Sequence, residues 1–317
     1  MDTRQSVQAL RERFYQCLSQ ELCHGRLAES TRTRLLGMGD DRSAVFDAFP
    51  CLFLNLFPTV TADQALRLAY AGKLYMDYLC LEDAVTDGQP FDGRFVHAAI
   101  GGLVHEEALT VMRSLLGSHD PFWRGLAGYH QAYVRAVIAE REIQTRRPLT
   151  YARAERDRIA ADKCASGKAA FVALALLDGS EEPPAALIHS YDAFCVSYQL
   201  YDDILDWRQD YTHGPYSYLV VQALESWQSH HPGFENSRPS PDELGQIIYY
   251  GHLAEDLLTE AGTYADHAVA LVRDLDCPAW VAAIREFEET YARLATDLEA
   301  LAEKSLAARQ VPAGIGP

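Results

Sequence analysis

The stretch Tyr198–Asp210, YQLYDDILDWRQD, carries four aspartates on a segment whose apolar spacing predicts a helix. Asp202, Asp206 and Asp210 recur every fourth residue, so an α-helix places them along one face over roughly 12 Å. Asp203 lies beside them, and most other positions are aromatic or aliphatic, which predicts a buried helix. Buried carboxylates need a counter-charge, and hard oxygen ligands in a row suit Mg²⁺. The stretch therefore predicts a metal site rather than a solvated acidic face.

A second acidic pair ends the helix predicted over Lys73–Gly88, KLYMDYLCLEDAVTDG. Asp83 and Asp87 are again four residues apart, and the positions that lead to them on the same face are mostly apolar. Gly88 and Pro90 then end the helix, which places the two carboxylates at the mouth of an apolar wall. Such a pair is common at helix ends, so its meaning depends on the first stripe.

The composition is that of a globular enzyme with an acidic surface. The chain has 317 residues, and 28 Lys+Arg against 45 Asp+Glu give a net charge of −17. The lack of a basic cluster argues against nucleic acid and anionic membranes as partners. Seven cysteines without a CxxC pair indicate free thiols in a reducing compartment. No apolar run is long enough to span a membrane, so a cytoplasmic location is predicted.

Helical spacing of apolar residues covers nearly the whole chain, and no strand pattern is found. We therefore predict an all-α fold, a single bundle of about ten helices that forms one domain over residues 1–317. The core is expected over roughly residues 60–300, a surface loop over Ser226–Pro241 and a frayed tail over residues 305–317, and Gly167 is expected to break one helix. The predicted helical stretches are Gln5–Leu22, Ala62–Ala84, Arg94–Leu116, Phe122–Ile143, Tyr151–Leu177, Ala186–Trp207, Asp242–Leu275 and Trp280–Ala307.

Two acidic stripes on separate helices of an all-α chain resemble the class I isoprenoid synthases, which include trans-prenyltransferases, squalene/phytoene synthases and class I terpene cyclases. QLYDDILD, residues 199–206, is similar to the second aspartate-rich motif of trans-prenyltransferases. The first motif departs from the pattern, because Ala84 stands where a second Asp is usual, a form similar to the squalene/phytoene synthases. The resemblance implies a central hydrophobic cavity and a cluster of three Mg²⁺ ions that binds a prenyl diphosphate. The implied metal ligands are Asp83, Asp87, Asp202, Asp203, Asp206 and Asp210.

The resemblance also implies basic residues that act on the diphosphate. Lys163 is similar to a lysine that contacts diphosphate in this superfamily, and Arg158 lies where cyclases place a diphosphate-sensing arginine. Lys168 is a further candidate, and Tyr291 with Arg293 resembles a cyclase pair that closes over the diphosphate. For any single residue of the expected cavity wall, core packing is the simpler interpretation. The other candidates for substrate binding are Tyr75, Met76, Leu79, Cys80, Phe171, Phe194, Tyr198, Gln199 and Trp207.

The residues after the first motif favour a reaction of one prenyl diphosphate over a condensation with a second. Condensing prenyltransferases typically have an Arg-Arg pair there for the second diphosphate, whereas GQPFDGRF, residues 88–95, has Arg94 alone. We therefore predict a class I terpene synthase that ionises one linear prenyl diphosphate and cyclises or quenches the carbocation. The alternative is a prenyltransferase that condenses two prenyl diphosphates or prenylates a small acceptor, with Arg146 and Arg147 reaching the diphosphate from another helix. A non-catalytic partner subunit is a third interpretation, and a homodimer is left open.

Overall fold

The computed structural model describes the backbone of residues 9, 12–16, 46, 48–86, 91–231 and 237–310, and their side chains apart from those of residues 84, 86, 91–97 and 302–310. Within these ranges the chain has no strand and ten α-helices with defined bounds, which confirms the all-α prediction. The helices are α1 (Ala62–Thr86), α2 (Phe91–Leu116), α3 (Asp120–Ile143), α4 (Arg153–Lys163), α5 (Lys168–Leu177), α6 (Ala185–Thr212), α7 (Tyr218–His230), α8 (Pro241–Tyr250), α9 (Leu253–Leu271) and α10 (Pro278–Gln310).

None of the predicted stretches covers α7, and the bounds of the predicted elements differ from the observed ones in two further respects. The stretch predicted over Asp242–Leu275 is interrupted, because His252 has a φ of 60° that no α-helix accommodates. Helix α7 extends into the stretch predicted as a loop, because Trp227 is buried and completes the apolar face of that helix. The expected break at Gly167 is confirmed, since the 3₁₀ turn Ala165–Gly167 separates α4 from α5.

The first of two compact units contains the acidic end of α1. Helix α1 packs along α2, and an aromatic cluster lies beside them. Phe53 contacts Phe171 with ring centroids 4.9 Å apart, and Phe49 contacts Trp280 with ring centroids 5.7 Å apart. Offset and edge-to-face ring contacts of this kind stabilise a core beyond the burial of their area. The unit consists of Met1–Val134, Asp162–Tyr191 and Val269–Ala283.

The second unit contains the four aspartates of α6. Part of its core is a cluster of Ala136, Ile143, Tyr151, Ile159 and Val221, all of which are buried. Helix α7 packs against α8, which begins with a capping box between Ser240 and Glu243. The unit consists of Arg135–Ala161, Asp192–Ala268 and Ile284–Pro317.

Two more of the sequence-based expectations concern cysteines and membranes. In the part of the chain that the structure describes, no disulfide is formed by Cys51, Cys80, Cys164, Cys195 or Cys277. In the same part, no helix is both long enough and apolar enough to cross a bilayer. The expected tail is partly helical, because α10 continues to Gln310, and residues 311–317 lie outside the described residues.

Candidate functional site

The four aspartates of α6 differ in burial. Asp202, Asp206 and Asp210 are half-buried, whereas Asp203 is only 5% exposed. The helix is not buried all round as predicted, because Leu205 on its outer side is 52% exposed. The acidic face therefore lies between the buried and the exposed sides of α6, where a carboxylate remains accessible to an ion or a substrate.

Asp203 forms two hydrogen bonds inside the second unit. Its Oδ1 accepts from Gln199 Nε2 at 3.0 Å, and its Oδ2 accepts from the backbone N–H of Tyr218 at 3.2 Å. Gln199 is half-buried one helical turn earlier on α6, and Tyr218 is the first residue of α7. The buried aspartate of the motif thus binds protein groups on both of its oxygens.

The residues of α6 fit a Mg²⁺ site by their chemistry, although no complete site is preformed. Among the described residues, no three His, Cys, Asp or Glu side chains converge as a metal-binding group. Mg²⁺ is usually held by one or two carboxylates together with waters and substrate phosphates, so such a convergence is not required. Asp202, Asp206 and Asp210 are hard oxygen donors that solvent still reaches, which suits an ion that keeps part of its water.

One buried tyrosine of the first unit, Tyr133, is acted on electrostatically by an acidic and a basic side chain. Tyr133 of α3 is buried, and its hydroxyl donates to the backbone carbonyl of Leu79 at 3.4 Å. Burial raises the pKa of Tyr133, the carboxylate of Asp83 raises it further, and Lys163 acts in the opposite direction. Asp83 and Lys163 therefore both lie within electrostatic reach of one hydroxyl, as a diphosphate site would require. Asp87 lies outside the described residues.

In the second unit, Tyr201 is likewise acted on by a carboxylate and a cation. Burial raises the pKa of Tyr201, Asp202 raises it further, and Arg293 lowers it. The Tyr201 ring also contacts the Tyr291 ring at a centroid distance of 5.2 Å. Of the predicted pair, Tyr291 thus contacts Tyr201 of α6, and Arg293 acts electrostatically on the same tyrosine. Tyr291 is buried and accepts a hydrogen bond from Ser197 Oγ at 3.1 Å, whereas Arg293 is exposed.

The remaining predicted basic residues are either exposed, half-buried or paired with other groups of the protein. Arg158 is exposed on α4, and Lys168 is half-buried at the first position of α5. Arg146 forms a two-pronged ion pair with Glu155, with both distances 2.7 Å. The Arg147 guanidinium donates to the backbone carbonyl of Arg146 at 2.7 Å. Both members of the Arg pair are thus engaged beside their own helix end, and the roles of Arg158 and Lys168 stay predictions.

Sequence reasoning missed Arg156, which is the buried cation of the second unit. It is 2% exposed, and its Nη2 donates to Glu260 Oε1 at 2.5 Å and to Asp157 Oδ1 at 2.6 Å. Its guanidinium lies over the Tyr218 ring, 4.6 Å from the centroid. The ion pair with Glu260 joins residues 104 positions apart, so no local pattern in the sequence could have revealed it.

The predicted wall residues separate into packed and half-buried side chains. Phe171 belongs to the aromatic core of the first unit, and Phe194 contacts Phe287 at 5.2 Å. Trp207 donates from Nε1 to Tyr249 Oη at 2.8 Å and is 3% exposed. These side chains serve core packing, and their role as a substrate wall stays a prediction. Leu79 is also buried, and the half-buried members of the set are Met76, Cys80 and Tyr198.

Sequence reasoning also missed two histidines beside Tyr75 in the first unit. Tyr75 Oη and His130 Nδ1 are hydrogen-bonded at 2.9 Å, and Tyr78 stacks on His105 with ring centroids 4.2 Å apart. Burial and then Glu82 raise the pKa of Tyr75 to about 12. Burial and then His130 lower the pKa of His105, while Glu82 acts in the opposite direction. Of these rings, those of Tyr75 and Tyr78 lie at most three turns before Asp83 on the same helix.

Comparison with solved structures finds prenyl diphosphate synthases. The heptaprenyl diphosphate synthase from Staphylococcus aureus aligns over 93% of this chain and 98% of its own, with a TM-score of 0.68 and 13% identity. A polyprenyl synthase from Caulobacter crescentus CB15, complexed with calcium and isoprenyl diphosphate, aligns over 90% and 96%, with a TM-score of 0.68 and 17% identity. The geranylgeranyl pyrophosphate synthase from Lactobacillus brevis aligns over 93% and 99%, with a TM-score of 0.63 and 17% identity.

Sequence comparison adds nothing to the structural likeness. No protein-family model and no curated protein matches the sequence. The identities to the three synthases are far too low to carry over an activity, whereas the coverage of both chains is almost complete. Together with the helices of the described residues, this likeness shows that the chain has the all-α class I isoprenoid synthase fold.

Proposed function

We propose that the chain is a Mg²⁺-dependent prenyltransferase, which transfers the prenyl group of an allylic diphosphate to a second substrate. The observation that supports the proposal best is that a carboxylate and a cation act electrostatically on one tyrosine in each unit: Asp83 and Lys163 on Tyr133, and Asp202 and Arg293 on Tyr201. The fold adds support, because the structural neighbours are named as prenyl diphosphate synthases and one of them holds calcium with isoprenyl diphosphate.

The acidic and basic residues of the proposed site would act on the leaving diphosphate. Asp83, Asp202 and Asp206 would hold Mg²⁺, with three ions implied by the resemblance, and the bound metal neutralises the leaving diphosphate. Lys163 binds a diphosphate oxygen as a point charge, whereas Arg293 can bind two oxygens at once. A cation that carries its charge before the reaction begins stabilises the negative charge that develops on a leaving oxygen.

The proposed transfer balances without an oxidant or reductant. The bond between C1 of the allylic chain and the diphosphate oxygen breaks, and its electron pair leaves with the diphosphate. A π bond of the acceptor forms the new bond to C1, and the acceptor then loses a proton. Neutral rings such as Tyr75 and Tyr78 can stabilise the allylic cation by about 2 kcal/mol when water is excluded.

A class I terpene synthase is the second candidate, and the basic residues favour it. An enzyme that binds two diphosphates needs cations for both. Arg94 stands alone after the first motif, and Arg146 is already paired with Glu155. In a synthase of this kind a single substrate would be ionised, and the cation would be cyclised or captured by water.

One assay separates the two candidates. The protein is incubated with Mg²⁺ and geranyl, farnesyl or geranylgeranyl diphosphate, each with and without isopentenyl diphosphate, and pyrophosphate and organic products are measured. The prenyltransferase proposal predicts pyrophosphate release and a longer prenyl diphosphate only when the second substrate is present. A hydrocarbon or alcohol from one diphosphate alone would instead establish the terpene synthase. A blank with EDTA controls for metal-independent hydrolysis.

A further inference from the structure

We infer that Asp203 is a positioning residue that anchors α6 to the first residue of α7, rather than a ligand of Mg²⁺. The relation to Mg²⁺ rests on the proposed function, whereas the anchoring does not. The aspartates of α6 differ in how far they are exposed to solvent. Asp203 is 5% exposed, while Asp202, Asp206 and Asp210 are half-buried.

Both oxygens of Asp203 already have donors. Oδ2 accepts from the N–H of Tyr218, and Oδ1 accepts from Gln199 Nε2. Tyr218 begins α7, and the first N–H groups of any helix lack partners within the helix. A carboxylate at this place forms a charge-assisted hydrogen bond and interacts favourably with the helix dipole. The anionic form of Asp203 is therefore stabilised by α7 itself.

No side chain at the start of α7 performs this capping. Ser217 is the N-cap residue, and its side chain forms no capping hydrogen bond. The Ser217 Oγ is buried without a hydrogen-bond partner in the described part of the chain. Asp203, from another helix, instead accepts from the first N–H of α7, whereas an N-cap serine usually accepts from the second or third.

Tyr218 is also held by contacts to its side chain. The buried guanidinium of Arg156 covers its ring and is bound to Glu260. The ring of Tyr151 contacts the same tyrosine edge-on, with centroids 5.6 Å apart. A residue of α4, which is itself bound to one of α9, thus packs on the side chain of Tyr218, the residue whose N–H Asp203 accepts from.

The anchor determines how α6 is turned about its own axis. Asp202 and Asp206 are one residue before and three residues after Asp203, so fixing Asp203 fixes the direction of both neighbouring carboxylates. Mg²⁺ keeps several waters and near-octahedral geometry, which an almost fully buried carboxylate accommodates poorly. The two more exposed aspartates are left for the ion.

The test compares three variants of the full chain: Asp203→Asn, Asp203→Ala and the matched control Asp206→Asn, which lies one turn further along the same helix. Metal-free protein is measured for Tm and for hydrogen exchange of the Tyr218 amide. Two further readouts are the Mg²⁺ concentration for half-maximal pyrophosphate release and calorimetric binding of Mg²⁺ with inorganic pyrophosphate. The metal-free readouts do not depend on any activity.

We expect Asp203→Ala to speed exchange of the Tyr218 amide by about tenfold and to lower Tm by a few degrees. Asp203→Asn keeps an oxygen acceptor, so it should restore most of that protection. Both variants should lower the turnover rate while the half-maximal Mg²⁺ concentration stays within about threefold of the parent value. Asp206→Asn should raise that Mg²⁺ concentration by about tenfold or more and leave the Tyr218 amide protected.

Two results would overturn the inference. Unchanged Tyr218 exchange in both Asp203 variants would show that the residue anchors nothing. A loss of Mg²⁺–pyrophosphate binding in Asp203→Asn as large as in Asp206→Asn would make it a ligand. If Asp203→Ala does not fold, the binding of Mg²⁺ with pyrophosphate by Asp203→Asn decides whether the residue is a ligand. If the parent protein turns over no prenyl diphosphate, the proposed function fails, and the exchange and calorimetric measurements still decide the role of Asp203.

Discussion

Tyr133 and Tyr201 show how single residues report on a charged site. Each hydroxyl is buried enough to raise its pKa, and each is acted on by a carboxylate in one direction and by a cation in the other. Neither tyrosine stands out in the sequence, because an isolated aromatic residue on a helix usually indicates core packing.

His105 gives a residue-scale prediction about pH. Burial and then His130 lower the pKa of His105 below its ordinary value of 6.5, so the unfolded chain binds more protons than the folded chain in acid. The free energy of unfolding should therefore fall as the pH decreases through about 6.5 toward the folded pKa. His105→Phe keeps a ring against Tyr78 and should reduce this loss, measured as Tm between pH 7.5 and 5.5.

The control for this titration is His119→Phe, because His119 is exposed. It should leave the pH dependence of Tm as it is in the parent protein. Equal slopes of Tm against pH in the parent and in His105→Phe would contradict the prediction, since they would mean that His105 contributes no proton linkage to folding.

At the scale of elements, periodicity predicted most of the helices, because an apolar stripe is a local property of the sequence. It missed the interruption at His252, which depends on one backbone angle, and the whole of α7, whose last turns depend on the burial of Trp227. The acidic face of α6 was predicted from spacing alone. The burial of one particular aspartate could not be predicted, because it depends on where the first residue of α7 packs.

The junction between α4 and α5 gives an element-scale prediction. A Cβ on Gly167 would collide with the Tyr191 hydroxyl and lie 2.6 Å from its Cζ, while that hydroxyl donates to the Cys164 carbonyl at 3.0 Å. Gly167→Ala should therefore lower the free energy of unfolding by about 1–3 kcal/mol. It should also lower turnover, because Lys163 ends α4 at this junction. Thermal and denaturant unfolding measure the loss.

Gly72→Ala is the matched control for the junction. Gly72 is exposed within α1, and a Cβ there would meet no atom within 4 Å. Because alanine loses less backbone entropy than glycine in a helix, this change should stabilise the protein by about 0.5–1 kcal/mol. A Gly167→Ala protein as stable as Gly72→Ala would show that Tyr191 can move aside freely.

At the scale of the whole molecule, the net charge of −17 opposes the binding of a diphosphate. Lys163 and Arg293 are two cations placed beside acidic motifs, and they cannot reverse the field of the whole chain. Divalent cations on the aspartates would change the local sign. We therefore claim that substrate binding by this chain depends strongly on Mg²⁺.

The most direct test of that claim is pyrophosphate release from prenyl diphosphates, with isopentenyl diphosphate present, by the parent protein, Asp206→Ala and Asp242→Asn. Asp242 is 84% exposed on α8 and pairs with Arg208, so its variant is the control for lost surface charge. The account predicts Mg²⁺-dependent release by the parent and the control, and a loss of at least about a hundredfold in Asp206→Ala with unchanged helicity. Parent-like release by Asp206→Ala, or none by the parent at any chain length, would contradict it.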